Sequence, residues 1–191
     1  MSNFIRLNSK KMKGIVFTEF MEMVETKFGL EIVDNIIESS KLPSEGVYTS
    51  IAIYDFNELL SLLDQLSEEV QISVEDLTYT FGLYLFSSLS NAHPEVISSY
   101  NSPLGLLYAI EDHIHVHVKK LYPEAELPTF KILEKTEVSL SMVYSSSRGL
   151  YRLAHGLMEK TFEHFNGAAD ITFELLKKDG TEVKFNIVQH G

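Results

Sequence analysis

Two groups of side chains in this sequence could do chemistry. One is the alternation Tyr144, Ser146, Arg148 inside VSLSMVYSSSRGLYRLAHGLM, and the other is the histidine trio His113, His115 and His117 inside AIEDHIHVHVKKLYP. Read as a strand, the even-numbered residues from Val138 onward share one face. Val138, Leu140 and Met142 make a core row, which then turns polar at Tyr144, Ser146 and Arg148. An inward-facing guanidinium left unpaired costs several kcal/mol, so an anion is expected to meet Arg148.

The histidines sit in a helix, because Leu107, Ile110, Ile114, Val118 and Leu121 step by three and four. On that helix His113 and His117 share a face at i and i+4, a spacing that can hold a metal ion. The sequence offers neither a nearby third ligand nor the glutamate of an HExxH arrangement, so the pair reads as a solvated polar face beside Lys120. His115 points to the apolar side, beside Ile114 and Val118. It is either a core-edge histidine bonded to a carbonyl or a ligand. His155 has no serine or cysteine motif beside it and reads as an ordinary packed or surface histidine.

The elements that must position these groups follow from periodicity. The first eleven residues are polar and basic, Met12 resembles a second start, and residues 1–11 are expected to be a flexible leader to one domain over 12–191. Helices are expected around Val16, Phe20, Met23 and Phe28, over LEIVDNIIESSK, and after an Asp55 cap along the stripe Phe56, Leu59, Leu60, Leu63 and Leu66. Ser73 and Asp76 resemble a capping box for the next helix. Ser102 and Pro103 open the helix that carries the histidines. After Pro128 the texture alternates and predicts two strands joined near Glu134 to Glu137. A helix from Arg148 to Phe165 follows, closed by Gly167 as its C′ residue. A final hairpin turns at Asp179-Gly180, with Ile171, Phe173 and Leu175 facing Val183, Phe185 and Ile187. The fold class is α+β: a helical N-terminal lobe, then an antiparallel sheet with packed helices.

Composition narrows the function. With 191 residues and 45% apolar content the chain can bury a substantial core. It has no cysteine, which excludes disulfides, thiolate metal sites, iron–sulfur clusters and cysteine nucleophiles. A net charge of −11 argues against general nucleic-acid binding. No secretory signal and no run long enough to span a membrane is visible, so a cytoplasmic protein is expected.

The histidine followed by VKKLYP and Pro128, the Tyr-x-Ser-x-Arg triple about thirty residues on, and MKGIVF near the start together resemble the haem nitric oxide/oxygen binding family, the H-NOX domains, in the form of a stand-alone bacterial member. The resemblance runs from Met12 to about Gly191. It implies that haem b sits in the cleft between the helical lobe and the sheet. His115 becomes the proximal ligand, Tyr144, Ser146 and Arg148 hold the propionates, and Pro128 packs against the porphyrin. It implies a sensor rather than an enzyme: gas binding ruptures the iron–His115 bond, and the signal passes to a histidine kinase or a cyclic-di-GMP enzyme. Many relatives carry a cysteine-rich zinc site near the C-terminus. This chain cannot, and a structural zinc is not expected there.

In the family, oxygen binders carry a tyrosine nine residues beyond the motif tyrosine, a position held here by Leu153. Tyr151 lies about 200° away around a helix and should not substitute. The positions aligned with the distal pocket are Val16, Phe20 and Leu85, none with a donor. Nitric oxide, and also carbon monoxide, are therefore the expected ligands. Two alternatives are an oxygen-binding H-NOX and a haem-free binder of another apolar, carboxylated small molecule.

Overall fold

The computed structural model describes residues 11–190. Almost all of the expected leader lies outside that range, and its last residue, Lys11, begins the first strand. The chain divides after Val74 into two compact units.

In the first unit, β1 (Lys11–Lys13) pairs antiparallel with β2 (Ile53–Asp55), and three helices follow the predicted order: α1 (Gly14–Phe28), α2 (Leu30–Ser39) and α3 (Phe56–Val70). Gly14 is fixed by a close approach, since a Cβ there would lie 1.8 Å from the Thr49 carbonyl oxygen. Its N–H donates to the Ala52 carbonyl at 2.8 Å. The buried stripe of α1 is Phe17, Phe20, Met23 and Val24, which leaves Val16 and Phe28 half-buried. Asp55 caps α3 as expected, its Oδ1 accepting from the Asn57 N–H at 3.0 Å. Leu62 rather than Leu60 completes the α3 stripe. A buried carboxylate, Glu58, accepts from the Ser44 N–H at 3.2 Å, the Ser44 hydroxyl and the Tyr48 hydroxyl at 3.1 Å, and so ties the loop before β2 to α3.

The second unit holds α4 (Val74–Ala92), α5 (Pro94–Ile97), α6 (Pro103–Tyr108), a π-helical segment (Ile110–Ile114), α7 (His115–Leu121), β3 (Thr129–Lys135), β4 (Ser139–Ser145), α8 (Tyr151–His164), β5 (Ala169–Leu175) and β6 (Glu182–Gln189). The single helix expected from Pro103 to the brink of Pro123 is thus three pieces. Ser102 does cap its start, accepting from the Gly105 N–H at 3.1 Å. The four strands form one antiparallel sheet in the order β3-β4-β6-β5. The predicted hairpin register holds, with Ile171 opposite Ile187, Phe173 opposite Phe185 and Leu175 opposite Val183. Its connection is longer than a two-residue turn, and Asp179 and Gly180 are part of it. Asn166, at φ 55°, takes the left-handed position after α8 that was expected of Gly167.

The sheet's inner face packs Leu140, Met142, Val183, Phe185 and Ile187 against Leu104 and Leu107 of α6 and Ala154, Met158 and Phe162 of α8. Mixed helix and antiparallel sheet is the class read from the sequence. Helices α4 and α8 meet through paired glycines. A Cβ on Gly82 would lie 2.3 Å from the Leu153 carbonyl oxygen, and one on Gly156 would lie 2.2 Å from that of Tyr79. Because backbone, not a flexible side chain, fills the space, an added methyl must push the helices apart. Gly156→Ala is expected to lower stability by about 1–3 kcal/mol in urea unfolding. Gly167→Ala, whose Cβ would meet ordinary contacts at 3.7 Å, should be close to neutral.

Candidate functional site

His115 is the first residue of α7 and follows directly on the π-helical segment. In that segment the Ile114 N–H reaches back five residues to the Ala109 carbonyl at 3.3 Å. Such wide turns are rare and re-aim the residues that follow them. The His115 side chain is 14% exposed, and its Nδ1 lies 3.1 Å from Glu111 Oε1. The same oxygen accepts the backbone N–H of Phe130 at 2.7 Å. A carboxylate only accepts, so Nδ1 carries the proton and Nε2 of the neutral ring keeps its lone pair. Burial pushes the imidazole below the ordinary histidine value, against the opposing pull of Glu111. A neutral histidine with one nitrogen held by a carboxylate is the arrangement in which the other nitrogen binds a metal.

From His115 a row of rings leads into the sheet. Phe130 lies 6.0 Å from the imidazole and 5.6 Å from the Tyr144 ring. Phe130 and Tyr144 are cross-strand partners in the β3–β4 register, so strand pairing fixes the second step.

Tyr144 is buried on β4 with Leu140 and Met142, as the parity argument predicts. The row does not continue as one strand face. Val138 lies outside the strand and is 57% exposed, while Ser146 and Arg148 fall in the turn that follows it. There the Ser146 hydroxyl accepts the Arg148 N–H at 3.2 Å, and Gly149, at φ 66°, completes the turn. The three residues still converge. Burial raises the Tyr144 phenol, which a Ser146 hydrogen bond and the Arg148 charge pull back. The Arg148 side chain is 6% exposed, and the expected anion is present within the chain: Nη2 donates to Glu126 Oε2 at 2.9 Å and Nη1 to the Glu126 carbonyl at 2.8 Å. Arg148 therefore does not by itself demand a ligand. Its corner is nonetheless built for a carboxylate, and the one there belongs to a side chain 61% exposed.

Pro128 is half-buried midway between Glu126 and Phe130. One short stretch thus carries the carboxylate on Arg148, the expected proline, and the N–H on Glu111. Of the apolar positions, Leu85 is buried on α4 and Leu153 is half-buried on α8, both in the second unit. Val16 and Phe20 lie on α1 in the first. Tyr151 packs its ring edge-on against Phe173, 5.2 Å away, and against Gly180.

The sequence reading missed Glu111, Phe130 and Glu126. Only Glu111 left a signal, its i,i+4 spacing to His115. The shared solvated face of His113 and His117 is also corrected. The wide π turn separates them, so that His113 is exposed beside Tyr100, with its Nδ1 3.2 Å from the hydroxyl, and His117 is half-buried. His155 is packed, as read, among Tyr79, Phe173 and Phe185, with Arg152 2.8 Å from its Nδ1.

A polar corner on the sheet is thus joined by aromatic rings to a carboxylate-held histidine whose Nε2 is free to bind a metal. The haem-NO-binding family model matches residues 13–173, and the chain belongs to that family, the H-NOX domains. The fold matches the Fe(II) unliganded H-NOX protein of K. algicida at TM-score 0.91 and 53% identity, over 94% of this chain and 97% of that one. It matches the S. oneidensis H-NOX protein in the Fe(II)NO state at 0.86 and 28%, over 94% and 100%. It matches the IWP-051-bound Shewanella woodyi H-NOX in the Fe(II)CO state at 0.78 and 39%, over 94% and 95%. Soluble guanylate cyclase gcy-35 of Caenorhabditis elegans is 24% identical over 155 residues, which are 78% of this chain but 22% of that protein. The chain thus spans about a fifth of the length of this curated relative. Among the described residues no helix is long and apolar enough to cross a membrane.

The buried histidines make stability depend on acid. Burial lowers both His115 and His155, the latter with help from the Arg152 charge. As pH falls below about 6.5 the unfolded chain takes up these protons before the folded chain does, so stability is lost until the lowered folded values are passed. Urea midpoints should fall as pH drops through the ordinary histidine value of about 6.5, and the fall should be shallower in His155→Gln. Equal slopes in the two proteins would remove His155 from this account.

Proposed function

We propose that this chain is a haem-based sensor of nitric oxide that passes its state to a partner protein. The observation that carries this reading is the Glu111-held tautomer of His115, which leaves Nε2 as the lone pair for iron. The residues present fit the group. His115 would offer a nitrogen to the iron, and Tyr144, Ser146 and Arg148 would offer two hydroxyls and a guanidinium to the haem carboxylates, one of which could take the place of Glu126 on Arg148. Haem b, when bound, supplies an open iron that takes a diatomic gas.

Gas choice falls to the apolar side chains. Val16, Phe20, Leu85 and Leu153 have no donor to offer a gas, and Tyr151 is engaged with Phe173. Oxygen gains much from a hydrogen bond and nitric oxide gains little, so this set favours nitric oxide, and also carbon monoxide. The Fe(II)NO and Fe(II)CO states of the Shewanella proteins support the ligand class. Were haem bound, His115 Nε2 would hold its iron while Nδ1–H stayed on Glu111, so any shift of the imidazole would pull on the carboxylate that anchors the start of β3. That strain is the outward signal, and a histidine kinase or a cyclic-di-GMP enzyme in the cytoplasm is the receiver we favour. The chain itself performs no catalysis in this reading.

The test is an absorption spectrum of reduced protein with nitric oxide, with carbon monoxide and in air. A Soret band that shifts with both gases, and no stable oxygen complex, is expected. Leu153→Tyr should raise oxygen affinity by roughly five- to a hundredfold, the worth of one hydrogen bond to a charged acceptor. His115→Gly should lose haem unless imidazole is supplied, while His113→Gly should keep it. A persistent oxygen complex in the unmodified protein would overturn the gas assignment. Absence of a Soret band after haem reconstitution would leave a haem-free binder of carboxylated ligands.

A further inference from the structure

His117 turns away from His113 and meets two residues from a distant part of the chain. His93 precedes the short helix α5 and Glu95 lies in its first turn. One ligand atom from each of His93, Glu95 and His117 lies within 4.8 Å of the others. His93 Nδ1 is 3.7 Å from Glu95 Oε1, and the two imidazole rings are 6.0 Å apart at 73°. His117 Nε2 is buried and has no hydrogen-bond partner among the described residues. A buried imidazole nitrogen without a partner costs free energy unless something coordinates it or bonds to it.

We propose that His93, Glu95 and His117 form a second metal site, for a divalent transition ion of the zinc type. Two imidazoles and a carboxylate are a zinc donor set that leaves a fourth position open. Bonds of about 2.0–2.2 Å at tetrahedral angles separate donor atoms by roughly 3.4 Å. The 3.7 Å pair is already near that separation. The widest separation closes by rotation of His93 and Glu95, whose side chains are 32% and 65% exposed. The site does not compete for the haem ligand, because residues two apart on a helix point about 200° from each other. It does join α7, which begins with His115, to α5. Occupancy would therefore clamp the helix on which the gas-sensing histidine rides.

The test uses the untagged full chain as purified, stripped with a chelator and titrated with Zn²⁺ against a chromophoric competitor. One equivalent of zinc should bind and raise Tm. His93→Ala and His117→Ala should each weaken binding by at least roughly tenfold, since even outer-shell partners of a metal are worth about 10–100-fold. His113→Ala should bind like the unmodified chain. Glu95→Ala, an exposed change that leaves the fold intact, should also weaken binding without lowering Tm of the zinc-free protein. Failure of the unmodified chain to bind zinc, or undiminished binding by the His93→Ala/His117→Ala double variant, would overturn the site.

Discussion

The arrangement rests on one oxygen atom. Glu111 Oε1 accepts both the Phe130 backbone N–H and the proton of His115 Nδ1. The first bond anchors a carboxylate that a helix surface would otherwise leave free to rotate. The second converts that fixed position into a fixed tautomer and ring direction. A carboxylate bound to two donors at once has little freedom left, and the imidazole it holds inherits that fixity. Replacing Glu111 by glutamine would keep an acceptor but weaken the charge-assisted grip on the ring.

From Phe130 the geometry propagates through the sheet. Pairing with β4 sets Tyr144 opposite Phe130, and the turn after β4 brings Ser146 and Arg148 back beside that phenol. The same stretch ahead of β3 returns to Arg148 through Glu126. Contacts run from histidine through carboxylate and backbone to two rings, and the guanidinium, whose charge acts on the second ring, is tied by Glu126 to the segment that begins β3. A long-range register of this kind makes the polar corner and the histidine one unit rather than two neighbouring features. The glycine crossing of α4 and α8 plays the matching part behind Leu153, whose carbonyl abuts Gly82.

Much of this was legible in the sequence because burial leaves a periodic trace. The β5–β6 partners, the Asp55 and Ser102 caps and the inward row Leu140, Met142, Tyr144 follow from alternation and capping chemistry alone. The remainder depended on departures from period. Strand parity extended the inward row to Ser146 and Arg148, whereas the strand ends at Ser145 and a turn carries both residues. Steps of three and four placed His115 on the apolar side but could not reveal a five-residue hydrogen-bonded turn, which alters no residue type. Glu126 on Arg148 and His93 beside His117 are tertiary meetings between distant segments, and no local pattern encodes them. The roles proposed for the site residues came from family resemblance and not from any local pattern.

The π-helical segment makes chain length itself a coding element. Its extra residue per turn is accommodated by a hydrogen bond from Ile114 to Ala109 instead of to Ile110. Deleting one residue between Ile110 and Ile114 would let the segment relax to ordinary α-helix, a locally more comfortable state. Because the wide turn absorbs the extra residue, that relaxation would leave the residues after it aimed nearly as they are. Forcing the segment straight at its present length would instead turn everything downstream by about 100° about the helix axis and push it on by about 1.5 Å. His115 would then leave Phe130, and His117 would leave His93, although every side chain that matters would still be present. The number of residues before His115 and the width of the turn they make thus form a single setting, and neither can change alone.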